Sequence, residues 1–364
     1  MAWTLRSSAI DVGSGRRVVV TPTIAVAIGT NSFIVHKVLT STDVGVTWVS
    51  ESIPVGWMGT GICWSPSLGV FVIAGYDFPD GPILTSPNGT TWTQESTPWD
   101  GTTGQLVDVT WAESLGLFVA TGGGGPSLEC ALTSNDGGST WVASTFPAGW
   151  VDGNSVAWSE SLGVLVVAGT TSTGTMLATS TDGATWSNGT TPVDGLPSGF
   201  GWRVRWCPNN GVFICAIYPP TVPSNIAVFW SSDGYTWTRS VMPGPPVSVV
   251  PSDVCEVNDV IVMTGTYPGR NMYVSCDAGR TFVLAWSIPP PFENTFGLGY
   301  DSTFGTMILM GRTDPPAEAI ATGPPPASYP REPVYQRIYG WHIDIDDNGL
   351  EVLRIDTSPQ GFSA

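Results

Sequence analysis

Short blocks of apolar residues separated by polar, glycine-rich stretches run along the whole chain. Examples are the runs V-F-V-I-A-G from Val70, L-F-V-A-T-G from Leu117 and V-L-V-V-A-G from Val164. Apolar runs that are continuous rather than alternating are typical of β-strands covered on both faces. No stretch longer than about ten residues carries the helical period. The pattern therefore predicts an all-β protein.

Each apolar run belongs to a larger strand-turn-strand pattern. An aromatic residue is followed by a turn ending in glycine and then by the apolar run, as in Trp64-SPSLG, Trp111-AESLG, Trp158-SESLG, Trp206-CPNNG and Tyr300-DSTFG. A degraded copy lies near Val254, and a divergent first copy ends at Gly29. The pattern therefore occurs seven times.

A second, polar signature occurs six times, out of phase with the first. Its copies begin at Ser41, Ser86, Ser134, Ser180, Ser231 and Ser275, at intervals of 44 to 51 residues, and each ends in Thr followed by Trp or Phe. Each contains one acidic or amide residue that can accept backbone N–H groups within a turn. These residues are Asp43, Asn88, Asp136, Asp182, Asp233 and Asp277. We call these six segments the signature turns and assign them a structural role, because six equivalent turns would otherwise be six equivalent active sites.

A repeat of this length indicates a stack or ring of identical supersecondary units. Four strands fit into each unit; in the second unit they are expected over residues 61–65, 69–75, 82–86 and 91–95. The signature turns resemble the Asp-box, or BNR, repeat of β-propellers. This resemblance implies a ring of four-stranded blades, and the seven copies of the first pattern imply seven blades.

The two ends of the chain explain why there are seven copies of one pattern and six of the other. Residues 2–7, AWTLRS, look like the outermost strand of the other units but have no preceding strands. The last unit has strands near residues 296–300, 306–311 and 318–322 and then loses the pattern. Pairing the N-terminal strand with this last unit would leave no exposed edge. We therefore predict a seven-bladed β-propeller closed by its N-terminal strand.

The sequence does not match the catalytic residues of enzymes in the family that it resembles. Sialidases of this fold clamp a substrate carboxylate with three arginines, the first in an Arg-Ile-Pro type motif, and Arg16-Arg17-Val18 does not fit that motif. Xyloglucanase-type hydrolases use paired propellers, whereas one propeller fits here. A BNR-type photosystem II assembly factor is a single seven-bladed ring with an arginine patch, whereas the arginines of this chain are dispersed in sequence. We therefore assign no catalytic residues and favour a non-enzymatic protein.

Charge and hydropathy narrow the possible partners. The chain has 30 acidic and 13 basic residues, a formal net charge of −17 and a single lysine, Lys37. Such a surface is a poor partner for nucleic acid or anionic lipid. The longest apolar runs are strand-sized, so no membrane span is expected. The N-terminus lacks the pattern of a signal peptide, and we expect a virion or extracellular protein released without one, with a cytoplasmic location as the alternative.

Neither the cysteines nor the histidines predict a metal or cofactor site. The six cysteines have no CxxC spacing and several lie in apolar runs, which favours buried thiols over disulfides or zinc. The segment from Asp344 to Gly349 fits the first half of a calcium loop, but the position of the required glutamate is Ile355. Asn348-Gly349 between two apolar segments favours a tight hairpin turn instead. We expect no cofactor.

Aromatic residues recur between successive units, after the last strand of each. They are Trp57, Trp99, Trp150, Phe200, Trp202 and Phe292. In a propeller these connections lie on the face opposite the signature turns, around the central channel. Aromatic rings at this position would suit stacking on a sugar or anchoring a protein partner. The alternative is that each ring only caps its own unit.

The last forty residues are expected to lie outside the ring. We divide the chain into a propeller over residues 1–325 and a proline-rich spacer with a hairpin over residues 326–364. A lone hairpin is marginally stable in water, so it should dock on the propeller, on a second copy or on a larger assembly.

These features favour a non-enzymatic binding or structural propeller. Its composition is typical of a bacteriophage virion component, such as a tail fibre or receptor-binding protein. Its expected partners are virion or assembly proteins at the hairpin and a glycan or surface protein at the aromatic loops, with a homo-oligomer also possible. The alternatives are a glycoside hydrolase or sialidase-like enzyme and a bacterial assembly scaffold.

Overall fold

The computed structural model describes the chain in seventeen segments. These are residues 4–6, 14–30, 36–53, 58–76, 83–99, 104–123, 129–172, 174–189, 200–218, 227–242, 250–266, 271–287, 292–303, 305–313, 320–323, 341–345 and 351–355. Within them the structure is all-β, apart from one 3-10 turn at Glu113–Leu115.

After a short N-terminal strand, β1 (Thr4–Arg6), the first half of the described chain forms three antiparallel groups of four consecutive strands. The second group is a separate four-stranded sheet, and single residue pairs join the first and third groups to strands of neighbouring units. Unit 1 contains β2 (Ser14–Val20), β3 (Ala25–Thr30), β4 (His36–Ser41) and β5 (Val49–Glu51). Unit 2 contains β6 (Met58–Ser65), β7 (Val70–Tyr76), β8 (Ile83–Ser86) and β9 (Thr93–Glu95). Unit 3 contains β10 (Gln105–Ala112), β11 (Leu117–Gly123), β12 (Ala131–Ser134) and β13 (Val142–Ala143).

The second half continues the same pattern. Unit 4 contains β14 (Trp150–Ser159), β15 (Val164–Thr171), β16 (Gly174–Ser180) and β17 (Ser187–Asn188). Unit 5 contains β18 (Phe200–Cys207), β19 (Val212–Tyr218), β20 (Ala227–Ser231) and β21 (Thr238–Arg239). Unit 6 contains β22 (Val250–Val257), β23 (Val260–Thr266), β24 (Asn271–Ser275) and β25 (Val283–Ser287). Unit 7 contains β26 (Phe292–Asp301), β27 (Thr306–Thr313) and β28 (Ile320–Gly323).

The fourth strand of unit 7 comes from the other end of the chain. Strand β1 pairs antiparallel with β28, with Thr4 opposite Thr322 and Arg6 opposite Ile320. Strand β28 in turn pairs with β27, and β27 with β26. The N-terminal strand therefore completes the strand order of the last unit.

Successive units pack face to face around a common axis. Each unit's first strand contacts the first strand of the next unit, and β26 of unit 7 contacts β2 of unit 1, so these contacts close a cycle. Buried apolar clusters lie between successive units of the described chain; one joins Ile308 and Met310 of unit 7 to Ala27 and Leu39 of unit 1. The chain is thus a β-propeller, and the continuous apolar runs are its strands covered on both faces.

The signature turns adopt one repeated hydrogen-bonded geometry. In the third turn, Asp136 Oδ1 accepts from Ser134 Oγ at 2.8 Å and from Thr140 N at 2.9 Å. The indole of Trp141 donates to Gly138 O at 2.7 Å, and its ring is only 6% exposed. The other four tryptophans of the set, Trp48, Trp92, Trp186 and Trp237, make the same indole bond. These aromatic rings therefore lie in the core.

A final pair of strands lies near the C-terminus. Strand β29 (Trp341–Ile345) pairs antiparallel with β30 (Glu351–Ile355), with Ile343 opposite Leu353. The expected tight turn, the alternative calcium loop and the proline-rich spacer involve residues 346–350 and 324–340, which lie outside the described residues.

Candidate functional site

An equivalent β-bulge occurs in the first strand of every unit, and it aims one residue at the neighbouring unit. In unit 1 the bulge lies between Gly15 and Arg17. In every unit, the residue after the bulge lies three positions before the site that holds Trp or Tyr in most copies of the strand-turn-strand pattern, which we call the aromatic position. Around the cycle the residues after the bulge are Arg17, Gly61, Asp108, Ser155, Arg203, Asp253 and Gly297. A bulge bends its strand and redirects a side chain, which explains why one position points inward in all seven units.

The two glycines in this set are required by close backbone approach. A Cβ atom on Gly61 would lie 2.6 Å from Asp108 Cα, and one on Gly297 would lie 2.7 Å from Arg16 O. Both distances are shorter than real contacts of a Cβ atom, so any side chain here would force two first strands apart. In unit 4 the residue after the bulge also points towards the next unit, because Ser155 Oγ accepts from Val204 N of unit 5 at 3.2 Å.

Four charged residues at or near this position form a buried network with Arg205. Asp108 Oδ2 accepts from Arg203 Nη1 at 2.9 Å, from Arg205 Nη1 at 3.0 Å and from Ser155 Oγ at 2.7 Å. Asp253 Oδ2 accepts from Leu298 N at 3.1 Å. We call Arg17, Asp108, Arg203, Arg205 and Asp253 the axial cluster.

Asp253 is surrounded by cations that remain beyond hydrogen-bond distance. Its oxygens lie 3.7 Å from Arg17 Nη1, 3.7 Å from Arg203 Nε and 3.6 Å from Arg205 Nε. Interactions at this distance are ion pairs without a direct hydrogen bond. Burial lowers the pKa of Arg17, which Asp253 offsets in part, whereas Asp108 and Asp253 together outweigh burial and raise the pKa of Arg205. Arginine stays protonated in either case.

The axial cluster corrects the sequence-based view of the arginines as dispersed. Arg17 lies in unit 1 and Arg203 in unit 5, so they meet only because the units pack around one axis. The cluster has one signal in the sequence, which is a charged residue three positions before the aromatic position in units 1, 3, 5 and 6. No single copy of the repeat reveals it.

The predicted aromatic site is only partly assembled. Trp99 is 2% exposed and donates to Glu129 Oε2 at 3.0 Å, and Trp150 is 1% exposed and donates to Asn188 Oδ1 at 2.9 Å. Both rings are thus buried and bonded within the protein, and the binding role expected for them stays a prediction. Trp202 is 41% exposed.

The other predicted aromatics cannot be placed as side chains. Phe200 and Phe292 are the first residues of β18 and β26, and their side chains lie outside the described part of the structure. Trp57 lies outside the described residues altogether.

The strand order fixes which face carries Trp202. The signature turns connect the third strand of a unit to the fourth, and the antiparallel order places them where the first strand ends. We call this edge the turn face and the opposite edge, where the first strands begin, the start face. Trp202 is the bulged residue near the beginning of β18, so it lies towards the start face.

The described residues offer little for metal or membrane chemistry. They contain no group of three His, Cys, Asp or Glu side chains that could hold a metal ion. No helix among them is long and apolar enough to cross a membrane. None of the six cysteines forms a disulfide bond, and Cys130, Cys207 and Cys215 are buried.

Comparison with known proteins identifies the fold alone. No protein-family model matches the chain. No curated protein matches it. Among solved structures, YCF48 bound to D1 peptide is 14% identical with a TM-score of 0.61, over 89% of this chain and 96% of that one. YCF48 from Cyanidioschyzon merolae is also 14% identical, with a TM-score of 0.61 over 88% and 98% of the two chains.

A third similar structure is an enzyme. The GH74 xyloglucanase from Xanthomonas campestris is 14% identical with a TM-score of 0.60, over 91% of this chain and 55% of that one. These neighbours differ in function and share an architecture with this chain. The protein is therefore a β-propeller of the general kind found in both YCF48 and the xyloglucanase.

Proposed function

We propose that the seven units form one closed seven-bladed ring over residues 1–325, with β1 as the fourth strand of the last blade. The pairing of β1 with β28 and the contact between β26 and β2 support this closure. Residues 326–364 would form a separate segment that carries the β29–β30 hairpin.

We further propose that this ring is a non-enzymatic scaffold that binds a macromolecular partner. The observation that carries the proposal is the state of the axial carboxylate of Asp108. Its two oxygens accept from two arginines, from Ser155 Oγ and from the backbone N–H groups of Val109 and Val156. Oδ2 accepts four of these bonds and Oδ1 accepts one, and the side chain is almost fully buried, so the carboxylate is engaged within the protein and not presented to a substrate.

The acidic residues of the signature turns also accept several hydrogen bonds from within the protein. Asp182 Oδ1 accepts from Ser180 Oγ, Ala184 N and Thr185 N, and Asp233 repeats these bonds with Ser231, Tyr235 and Thr236. We therefore propose that Asp43, Asn88, Asp136, Asp182, Asp233 and Asp277 hold the turns together and take no part in catalysis.

The proposed partner binds the start face, with Trp202 as its anchor. A large, amphipathic and partly exposed aromatic ring beside the axis is the type of side chain that dominates binding energy at protein interfaces. YCF48 shares the propeller fold, and one of its structures holds a peptide. We propose a peptide segment of another protein as the ligand, with a surface glycan as the alternative for the same ring.

Trp202 and Tyr235 form a matched pair for testing this site. They are 41% and 43% exposed, and Tyr235 lies in a signature turn on the opposite face. On peptide and glycan arrays, Trp202→Ala should remove binding that the wild type and Tyr235→Ala retain. Equal binding by all three proteins would contradict the site, and turnover of fluorogenic glycosides by the wild type would contradict the non-enzymatic role.

The assignment to a virion is a proposal that rests on composition and on the hairpin. An attachment protein of a bacteriophage would bind the host surface with the ring and the virion with the hairpin. A bacterial assembly scaffold would use the same two surfaces for two protein partners.

A further inference from the structure

The outermost strand of unit 6 has a longer free edge than those of units 1 to 5. Strand β25 has five residues, whereas β5 and β9 have three each and β13, β17 and β21 have two each. One side of β25 pairs with β24, and among the described residues no strand pairs with its other side. Unpaired N–H and C=O groups along such an edge form a template for an added strand, which short edges avoid.

This edge is also apolar. Val283 is 47% exposed and Leu284 is 49% exposed, and β25 contains no charged residue. The position of Leu284 holds a polar residue or alanine in the earlier units, namely Ser50, Gln94, Ala143, Asn188 and Arg239. Strand β25 therefore lacks the charged side chains that usually protect a free edge from pairing.

A bulge in β25 favours a hairpin as the added element. Leu284 and Trp286 lie opposite consecutive residues of β24, so Ala285 is the extra residue. A bulge increases the local twist of its strand, and an added strand must follow that twist. Two-stranded ribbons are more strongly twisted than larger sheets, so a hairpin meets this requirement.

Two arginines lie beside this edge in a chain with only 13 basic residues. Arg280 comes three residues before β25, and its carbonyl accepts from Val241 N at 2.8 Å. That bond brings the outermost strand of unit 5, which ends at Arg239, next to unit 6. Both arginines are exposed. They favour a segment of negative charge as the occupant of the edge.

The β29–β30 hairpin has the length and the charge that this edge requires. Both of its strands have five residues, and within the described residues they pair only with each other. Its sequence from Trp341 to Ile355 contains four acidic residues and one arginine. Its register places Ile343 opposite Leu353 and Trp341 opposite Ile355, so apolar positions share one face. A lone hairpin of this kind is marginally stable until it docks.

The connection to the hairpin is long enough to reach β25. It comprises residues 324–340, which span at most about 56 Å when fully extended. It starts at β28 in unit 7, and the first strands of units 6 and 7 are in contact. The path from β28 through these first strands to β25 is about 35 Å, from strand spacings of about 5 Å and a gap of about 10 Å between packed sheets. Such a tether keeps the hairpin at high effective concentration near its own ring, which favours the same chain over a second copy.

We propose that the β29–β30 hairpin adds to the outer edge of β25 in the same chain and extends the sheet of unit 6 from four strands to six. Backbone hydrogen bonds and the covering of Leu284 stabilise the pairing, and the two arginines orient it, since exposed ion pairs contribute little energy. The edge of β28 in unit 7 is not available, because β1 already pairs with it. The proposal rests on the assignment of residues 326–364 to a separate segment. It gives that segment a fixed position on the ring, and the outer strand of the hairpin remains free for an assembly partner.

The test is hydrogen–deuterium exchange of the full chain, measured by mass spectrometry. A free two-stranded hairpin exchanges almost at once, whereas amides that pair within a larger sheet are protected. Exchange across residues 341–355 should therefore be slower by about tenfold or more than in a synthetic peptide of the same sequence. Equal exchange in the chain and in the peptide would overturn the proposal.

Two full-length variants identify β25 as the docking site. Leu284→Asp puts a carboxylate on the edge against an acidic hairpin, and Val142→Asp makes the same change on the outermost strand of unit 3, where Val142 is 67% exposed. Both positions are exposed, so neither change disturbs the core. Protection of the hairpin should be lost in Leu284→Asp and retained in Val142→Asp. Protection that both variants retain, or that both lose, would overturn the proposal.

Two further measurements separate the possible causes of failure. Protection should not depend on protein concentration; protection that falls on dilution would show that a second copy supplies the hairpin, contrary to the proposal. If Leu284→Asp retains protection and a chain that ends at residue 325 unfolds, the segment belongs to the last unit, and the proposed separation of residues 326–364 is wrong as well. If Leu284→Asp retains protection and the shorter chain folds, only the docking on β25 is wrong.

Discussion

The carboxylate of Asp108 lies 2.9 Å from the guanidinium of Arg203, a residue 95 positions further along the chain. Asp108 belongs to unit 3 and Arg203 to unit 5, and Ser155 of unit 4 donates to the same carboxylate oxygen at 2.7 Å. One carboxylate therefore links three successive units. Both charges are almost fully buried. Removing either one would leave the other with a single ion pair, Asp108 with Arg205 or Arg203 with Asp253.

The signature turns should make stability sensitive to acid. The side-chain hydrogen bond from Thr140 contributes most to lowering the pKa of Asp136 from 3.8 to about 2, and the pKa values of Asp43, Asp182 and Asp233 are lowered too. A lowered pKa in the folded state gives stability that is present above the unfolded value and is lost as pH falls through the folded one. Urea unfolding should thus show decreasing stability between about pH 4 and pH 2.

The chain provides its own control for this prediction. Asn88 occupies the equivalent position in the second turn, and its Oδ1 accepts from Thr90 N and Thr91 N at 2.9 Å. Asp136→Asn should therefore fold normally but reduce the slope of unfolding free energy against pH by up to about one proton. An unchanged slope would show that Asp136 does not titrate with folding.

Removing the N-terminal strand should open the ring. Deletion of residues 1–8 removes the partner of β28 and exposes a strand edge on unit 7. We expect loss of cooperative thermal unfolding, or aggregation, measured by calorimetry and light scattering. A deletion variant that melts like the full-length protein would contradict closure by β1.

Local patterns were sufficient to predict most of the strands. Strands expected over residues 61–65 and 69–75 form as Met58–Ser65 and Val70–Tyr76. They could be predicted because the glycine-rich turns on either side mark where each apolar run begins and ends. The N-terminal strand, expected over residues 2–7, is described as Thr4–Arg6 paired with β28. These features depend on residues close in sequence or on a repeat that is visible by alignment.

The candidate functional site could not be predicted from local sequence patterns. Trp99 and Trp150 resemble surface aromatics in sequence, yet both rings turn inward to partners 30 and 38 residues away. Arg17, Asp108, Arg203 and Asp253 lie in four different units and converge only through equivalent bulges. A bulge shifts the strand register by one residue, which conceals the inward position from a simple period-two pattern.

The C-terminal segment should be dispensable for folding but necessary for assembly. Strands β29 and β30 pair with each other, and a two-stranded hairpin is marginally stable alone. Removing residues 326–364 should leave a cooperatively folded ring that no longer oligomerises or joins its assembly, as measured by ultracentrifugation. If the truncated protein unfolds, the segment belongs to the last unit instead.

The most direct test of the structural role of the axial charges is a double-mutant cycle between Asp108 and Arg203. Unfolding free energies would be measured for Asp108→Asn, Arg203→Met and the double variant. Each single change should cost less than the roughly 3–5 kcal/mol expected for breaking an isolated buried ion pair, because Asp108 keeps its bond from Arg205 and Arg203 keeps its ion pair with Asp253. The coupling energy between the two should then lie within about 0.5–3 kcal/mol. A coupling near zero, or an Asp108→Asn protein as stable as the wild type, would contradict the conclusion that these charges hold the ring together.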